Sequence, residues 1–398
     1  MNTTRININT VNSDFKKEYE TFLASVSQEF SKIGIKSNST IAIGLSGGVD
    51  SSSTLAILKE LGYNVVGITM KIWNEKYSKF FPDTETKIHG CFGPEEYQDI
   101  KDAEKVCKTL KVPFYSINLS DQYEQIVLEY FKNEYLRGRT PNPCVICNWK
   151  MKFEYLLTKA SESGIHFDYF ATGHYVKRSV YKNHITLAKA NYIQKDQSYY
   201  LSYLNKSHIE KSIFPLGYIQ SKNLTREISK YYGLEIYNKP DSQNFISIKY
   251  TELFKGYNIE NGIIVHKNGK VLGKHQGIHL YTIGQRKGLN ISSSKPLYVI
   301  NIDSKNNLIV VGEKEDLYQK KLIAKNINWL VKEFNGISAK IRYTHEPAPC
   351  KIKEIEEDTI EVEFEQKQLA ITPGQIIAFY KDDILLGAGI IHTVIIGG

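Results

Sequence analysis

Ser46-Gly47-Gly48-Val49-Asp50-Ser51-Ser52 follows the apolar run Ile41-Ala42-Ile43-Gly44-Leu45 and precedes Thr54-Leu55-Ala56-Ile57-Leu58. The order reads as a strand, a tight polar turn and the start of a helix. Two adjacent glycines let the backbone close on an anion, while serine hydroxyls and the positive helix end supply donors for phosphate oxygens. No lysine follows the glycines, so the loop is not of the G-x-x-x-x-G-K-[ST] type. Residues 44–48 also fit G-x-S-x-G, the nucleophile elbow of a hydrolase. An elbow serine comes after several strands of its sheet, whereas residues 1–45 leave room for one helix and one strand. A turn without a ligand would leave the Asp50-Ser51-Ser52 cluster unused.

Outward from the loop, residues 41–45, 65–70, 113–119 and 169–172 are strand-like and separated by helical stretches. This alternation predicts an α/β domain with a doubly wound parallel sheet, whose ligands sit beyond the carboxyl ends of the strands. Residues 13–34 place Phe15, Tyr19, Phe22, Leu23, Val26, Phe30 and Ile33 on one stripe of a packing helix. Residues 205–238 read as helical. From about residue 262 the pattern turns to short strands, with Asn268-Gly269 as a hairpin turn and strand-like runs at 297–302, 308–311, 360–364 and 376–380, which suggest small barrels.

The 398 residues suffice for two or three domains, and 41% hydrophobic with 24% charged residues is ordinary for a soluble protein. A formal net charge of +8 and 12% aromatic residues suit a polyanionic partner with bases to stack. No apolar run is long enough for a membrane helix, and residues 1–38 lack a signal-peptide core. Five cysteines fit a reducing cytoplasm better than a disulfide scaffold.

Two of them lie in Arg137-Gly138-Arg139-Thr140-Pro141-Asn142-Pro143-Cys144-Val145-Ile146-Cys147-Asn148. Nearby Arg137, Arg139, Lys150 and Lys152 are expected to favour thiolates at Cys144 and Cys147. Half of a zinc site and a plain buried thiol pair are the other readings. No second Cys-x-x-Cys exists, and Cys91, Cys107 and Cys350 are scattered.

The 46–51 loop resembles the pyrophosphate loop of ATP pyrophosphatases. The loop, residues 140–148, Ala171-Thr172-Gly173-His174-Tyr175, Lys195-Asp196-Gln197-Ser198-Tyr199, residues 281–289, Arg342-Tyr343 and Thr372-Pro373-Gly374-Gln375, in that order, together resemble the MnmA/TrmU family of tRNA-specific 2-thiouridylases. The resemblance spans residues 40–392. Residues 1–38 stand before it as an N-terminal helical extension, and it implies an ATP-pyrophosphatase domain (39–215), a small central domain (216–300) and a C-terminal β-barrel (301–398). It also implies a reaction in which ATP, with Mg²⁺, adenylates the C2 oxygen of wobble uridine 34 and cysteine-borne sulfur then displaces AMP.

On this resemblance Gly44, Leu45, Ser46, Gly47, Gly48, Val49, Asp50, Ser51, Met70 and Gly173 bind ATP. Cys147 is catalytic, with Asp50 serving the adenylation, and Asn142, Pro143 and Cys144 touch the target base. His174, Lys195, Asp196, Gln197, Arg342, Tyr343 and Gln375 contact the tRNA anticodon stem-loop. A sulfur-donor protein such as a cysteine desulfurase or relay protein is implied as a partner. Another ATP pyrophosphatase, amidating or lysidine-forming, would share the loop without needing Cys144 and Cys147. An RNA-binding homologue without sulfur transfer is the reading from another class.

The chain departs from the family pattern at Cys144, where many members carry Asp, and at Ile246 in Asp241-Ser242-Gln243-Asn244-Phe245-Ile246, where a second catalytic cysteine is usual. Isoleucine cannot carry sulfur. Either Cys144 and Cys147 share the work, or Cys91 joins them as ligands of a [4Fe-4S] cluster.

Overall fold

The computed structural model describes residues 13–80, 90–241, 244–247 and 249–396. Residues 1–12 of the expected N-terminal extension, and Ser242 and Gln243 of the 241–246 segment, lie outside the described residues. The chain forms two compact units. One comprises residues up to Tyr123 with Cys147–Lys249, the other Glu124–Ile146 with Tyr250–Gly398.

In the first unit five parallel strands lie in the order Phe114–Asn118, Asn64–Lys71, Thr40–Gly44, Tyr169–Thr172 and Ser212–Ile213. The central strand Thr40–Gly44 is buried on both faces, which its Ile41-Ala42-Ile43 run requires. Helix Val49–Glu60 leaves it through the 45–48 turn, with Leu55, Ala56, Ile57 and Leu58 in the core. Helix Ser13–Lys32 buries Phe15, Tyr19, Phe22, Val26 and Phe30. It packs on helix Lys222–Tyr231, where the Tyr19 and Tyr232 hydroxyls lie 3.2 Å apart and Tyr232 donates to Glu60 at 2.8 Å.

Two elements differ from the expectation. The helical reading of 205–238 missed the edge strand Ser212–Ile213, which is only two residues long and too short for any period to register. Cys91-Phe92-Gly93-Pro94-Glu95-Glu96 reads as a turn followed by a helix, but Cys91 lies in strand Gly90–Phe92, paired in parallel with Asn244–Ile246. Such a contact joins distant segments and leaves no local signature.

In the second unit six antiparallel strands close a barrel. Tyr318–Trp329 pairs with Thr359–Leu369, followed in order by Ala348–Glu356, Ile337–Lys340, Ile376–Lys381 and Ile384–Ile395, which returns to Tyr318–Trp329. Closure removes open sheet edges. A separate four-stranded sheet runs Val271–His275, Gly262–His266, Leu308–Gly312, Tyr298–Asp303 over a core that includes Ile264, Val299, Ile309 and Val311. Among the described residues no helix is long and apolar enough to cross a membrane.

Candidate nucleotide and sulfur-transfer site

Gly47 turns the chain with φ +68, and a Cβ there would meet the Asp99 carbonyl oxygen at 2.2 Å, so both conformation and space demand glycine. The Ser51 hydroxyl accepts from the Ser46 backbone N–H at 3.2 Å and lies 3.3 Å from the Ser46 hydroxyl. Lys239 braces the turn from outside. Its ammonium donates to the Gly47 carbonyl at 3.0 Å, to Asp99 at 2.7 Å and to Asp102. Burial alone would lower the Lys239 pKa, but the bonds to Asp102 and Asp99 hold it above its ordinary value.

Gly173 is pressed on the same loop, since a Cβ would lie 2.6 Å from the Ser51 nitrogen. Met70 stands half-buried near the carboxyl end of Asn64–Lys71. At that end Glu96, a buried carboxylate, accepts from the backbone N–H groups of Ile72 at 2.7 Å and Trp73 at 2.9 Å.

Asp50, in the first turn of helix Val49–Glu60, accepts from the Tyr175 hydroxyl at 2.8 Å and from Lys222 at 2.6 Å. Burial, reinforced by the Asp50 charge, pushes the Tyr175 phenol far above its ordinary value, so it stays a donor. Lys222 also pairs with Asp241 at 2.8 Å, and Asp241 in turn takes Lys195 at 2.6 Å. The structure therefore joins the loop, Tyr175, Lys195 and Asp241 in one polar network. Sequence reasoning missed Lys222, Lys239 and the role of Tyr175, although Tyr175 stood inside a quoted motif. A cation in a helix's first turn, as at Lys222, was the one local signal available.

The other expected tRNA contacts of this unit also have protein partners. His174 Nδ1 lies 2.7 Å from the Thr172 hydroxyl, and burial followed by the charge of Lys152 holds its pKa well below the ordinary histidine value. Asp196 is buried and accepts from Ala190 N–H at 3.0 Å and the Ser198 hydroxyl at 2.7 Å. Gln197 accepts from the Tyr175 N–H at 2.9 Å through its side chain.

Cys147 opens a π-helix, Cys147–Tyr155, a rare form that recurs at functional sites. It is half-buried, and its thiol is pushed up to about 11, chiefly by burial; Lys152 pulls it down and Cys91 pushes it up. The expected ionisation is thus not met here. Arg139 is held by Glu134 at 2.7 Å, Arg137 lies 3.7 Å from the same carboxylate, and Lys150 pairs with Glu154 at 3.0 Å. Of the four named cations only Lys152 bears on the thiol. Alkylation of Cys147 by iodoacetamide, followed on its peptide by mass spectrometry, is expected to accelerate about tenfold per pH unit from pH 7 to 10, because thiolate accumulates until pH passes the thiol pKa. A plateau below pH 8 would show a thiol already ionised by its neighbours. Cys91 is exposed, and crowding on its protein side nonetheless raises its pKa. Cys350 is buried in the barrel and pushed up to about 12.

In the second unit the 140–143 segment is clamped by residues 372–375. Thr140 N–H donates to the Pro373 carbonyl at 2.9 Å, and the Gln375 amide donates to the carbonyls of Thr140 at 3.0 Å and Pro141 at 2.9 Å. Gly374, with φ +93, allows this approach, since a Cβ would meet Thr140 backbone at 2.7 Å. Asn142 caps the short helix Pro143–Ile146 through a 3.2 Å bond from Val145 N–H, and Cys144 stands in that helix. Arg342 reaches the carbonyls of Ile283 at 3.2 Å and Ala370 at 3.1 Å and the Thr372 hydroxyl. Tyr343 is half-buried, with the Lys340 ammonium 5.4 Å from its ring centre.

Comparison with known proteins places these features in a family. Residues 39–249 match the model described as tRNA methyl transferase HUP domain, 253–313 the tRNA methyl transferase PRC-barrel domain and 319–391 the aminomethyltransferase beta-barrel domain. The chain is 44% identical over 364 residues to the tRNA-specific 2-thiouridylase MnmA of Endomicrobium trichonymphae, covering 88% of this chain and 98% of that protein. It is 41% identical over 369 residues to the protein of the same name from Clostridioides difficile, covering 89% and 98%. The chain belongs to the tRNA-specific 2-thiouridylase family. As in that family, the parallel-sheet domain comes first and the barrel last. Position 246 is occupied by a buried Ile246.

Proposed function

We propose that this chain thiolates C2 of uridine 34 in tRNA, using ATP for activation and a cysteine persulfide as the sulfur carrier. The observation that carries the reading is that the 46–51 phosphate loop and Cys147 belong to one compact unit. A lysidine-forming or amidating enzyme needs the loop and has no use for that thiol.

Residues 44–51, Met70 and Gly173 hold the nucleotide while the C2 oxygen attacks the α-phosphorus and pyrophosphate leaves. Asp50, the one carboxylate of the loop, would hold a magnesium ion that offsets the phosphate charge. A sulfur-donor protein loads Cys147 as a persulfide. The terminal sulfur attacks C2, the C2–O bond breaks and AMP leaves. A second protein thiol then cleaves the S–S bond, which yields 2-thiouridine and a protein disulfide that an external dithiol reduces.

Among the described residues no group of three or more His, Cys, Asp and Glu side chains is arranged to hold a metal. A [4Fe-4S] cluster held by Cys91, Cys144 and Cys147 is the alternative sulfur chemistry, and the persulfide route needs none. Asn142, Pro143 and Cys144 meet the target base. His174, Lys195, Asp196, Gln197, Arg342, Tyr343 and Gln375 form the tRNA surface through the edges their protein partners leave open. The reaction belongs in a reducing cytoplasm, where the disulfide is reset.

Purified protein given ATP, unmodified tRNA and a persulfide donor is expected to produce 2-thiouridine at position 34, read by nucleoside mass spectrometry. Lysidine, an amidated product or unmodified tRNA would overturn the reading. The affinity for tRNA should fall with salt, with a slope of about −0.7 in log K per phosphate neutralised. Salt-independent binding would count against phosphate contacts.

A further inference from the structure

We propose that Lys222 is the phosphate-binding cation of the adenylation step, parked between Asp50 and Asp241 until the nucleotide's polyphosphate takes its ammonium. The proposal rests on the ATP-dependent reading above. It concerns a residue that neither the loop motif nor the sequence pattern identifies.

Lys222 is the first residue of helix Lys222–Tyr231, behind the Ser221 cap, and that first turn holds no acidic residue. A cation at this end opposes the helix dipole, so the lysine does not serve the helix. Its side chain is only 13% exposed, although lysines usually keep their heads in water. The ammonium is shared by Asp50 at 2.6 Å and Asp241 at 2.8 Å and lies 5.9 Å from the Tyr175 ring centre.

Asp241 does not depend on Lys222 for neutralisation, because Lys195 at 2.6 Å and Arg226 at 3.9 Å face the same carboxylate. Three cations thus meet two carboxylates, leaving one positive charge in excess. Asp50 follows directly after the Ser46-Gly47-Gly48-Val49 turn, so this excess lies on the Asp50 side of the loop, while at Gly47 Lys239 meets the two carboxylates Asp99 and Asp102.

The placement is rigid. Helices Val49–Glu60 and Lys222–Tyr231 are joined by the buried Ser53 hydroxyl, which donates to the Thr225 carbonyl at 2.8 Å and lies 2.7 Å from the Ser229 hydroxyl. A lysine held this way offers a compact point charge to a phosphate oxygen. Tyr175 and Lys222 donate to the same Asp50 oxygen, Oδ1, so when the lysine shifts to the phosphates Asp50 keeps the Tyr175 hydroxyl there.

Calorimetric titration of the full-length protein with inorganic pyrophosphate, ATP and adenosine tests the assignment. Lys222→Gln should weaken pyrophosphate and ATP binding about 10- to 100-fold, the range of a lost bond to a charged group, and leave adenosine binding within about twofold. Lys222→Gln/Asp241→Asn removes one charge of each sign and should show the same selective loss, which guards against misfolding of the single variant. Unchanged pyrophosphate affinity in both variants, or equal losses for adenosine and pyrophosphate, would reduce Lys222 to a structural counter-ion and overturn the proposal. Wild-type protein that binds neither ATP nor pyrophosphate would instead overturn the ATP-dependent reading itself.

Discussion

Cys147→Ala protein is expected to form no 2-thiouridine while still releasing pyrophosphate when given ATP and tRNA. Alanine removes the only sulfur at the head of the π-helix Cys147–Tyr155 and leaves the 46–51 loop untouched. The two half-reactions should therefore separate. Because the Cys147 thiol is pushed up to about 11, it is protonated at neutral pH, and loading with sulfur has to be assisted. The Lys152 charge is the one named influence that favours the thiolate. Residual thiolation above a no-enzyme control would remove Cys147 from the mechanism. The accompanying variants locate the second thiol. Cys144→Ala is expected to abolish thiolation too, if that cysteine stands in for the thiol that Ile246 cannot supply. Loss in Cys91→Ala with activity kept in Cys144→Ala would transfer the role to Cys91, whose charge already bears on Cys147 and whose strand pairs with Asn244–Ile246. Cys350→Ala, in the barrel strand Ala348–Glu356, should leave activity intact.

Asp50→Asn is expected to slow tRNA-dependent pyrophosphate release by about 100-fold or more, the usual cost of removing one preorganised electrostatic contact. The amide retains an oxygen for the Tyr175 hydroxyl but offers no charge to Lys222 or to a nucleotide-borne cation. Folding should be little affected, since Lys222 keeps Asp241 as a partner at 2.8 Å. A melting temperature close to wild type together with the rate loss would place the effect in the chemistry. Wild-type release of labelled pyrophosphate from Asp50→Asn would exclude Asp50 from adenylation.

Much of the protein was legible from local pattern. The Ile41-Ala42-Ile43 run, the two glycines and the helical residues 54–58 are near one another in the chain, and their geometry follows from backbone sterics alone. The same holds for strand Tyr169–Thr172 and for the aromatic stripe of Ser13–Lys32, where one period decides which side is buried. Two barrel strands, Thr359–Leu369 and Ile376–Lys381, were readable in part, whereas the other four and the closure between Tyr318–Trp329 and Ile384–Ile395 were not, because closure pairs residues far apart in the chain.

By itself the sequence determined the glycine turn at residues 46–51, the parallel-sheet class, the position of Cys147 and the absence of a cysteine at 246, all of which depend on residue type and short-range spacing. Tertiary structure alone decided the rest: that Lys222 sits between Asp50 and Asp241, that Cys91 lies on a strand beside Asn244–Ile246, that Gln375 holds Thr140 and Pro141, and that the Cys147 thiol stays protonated. The physical reason is common to all four. Ion pairing, strand pairing and desolvation depend on which distant groups the fold brings within a few ångströms, and a positive residue near a cysteine in sequence counts for little once its charge is spent on a nearby carboxylate, as with Arg139 on Glu134.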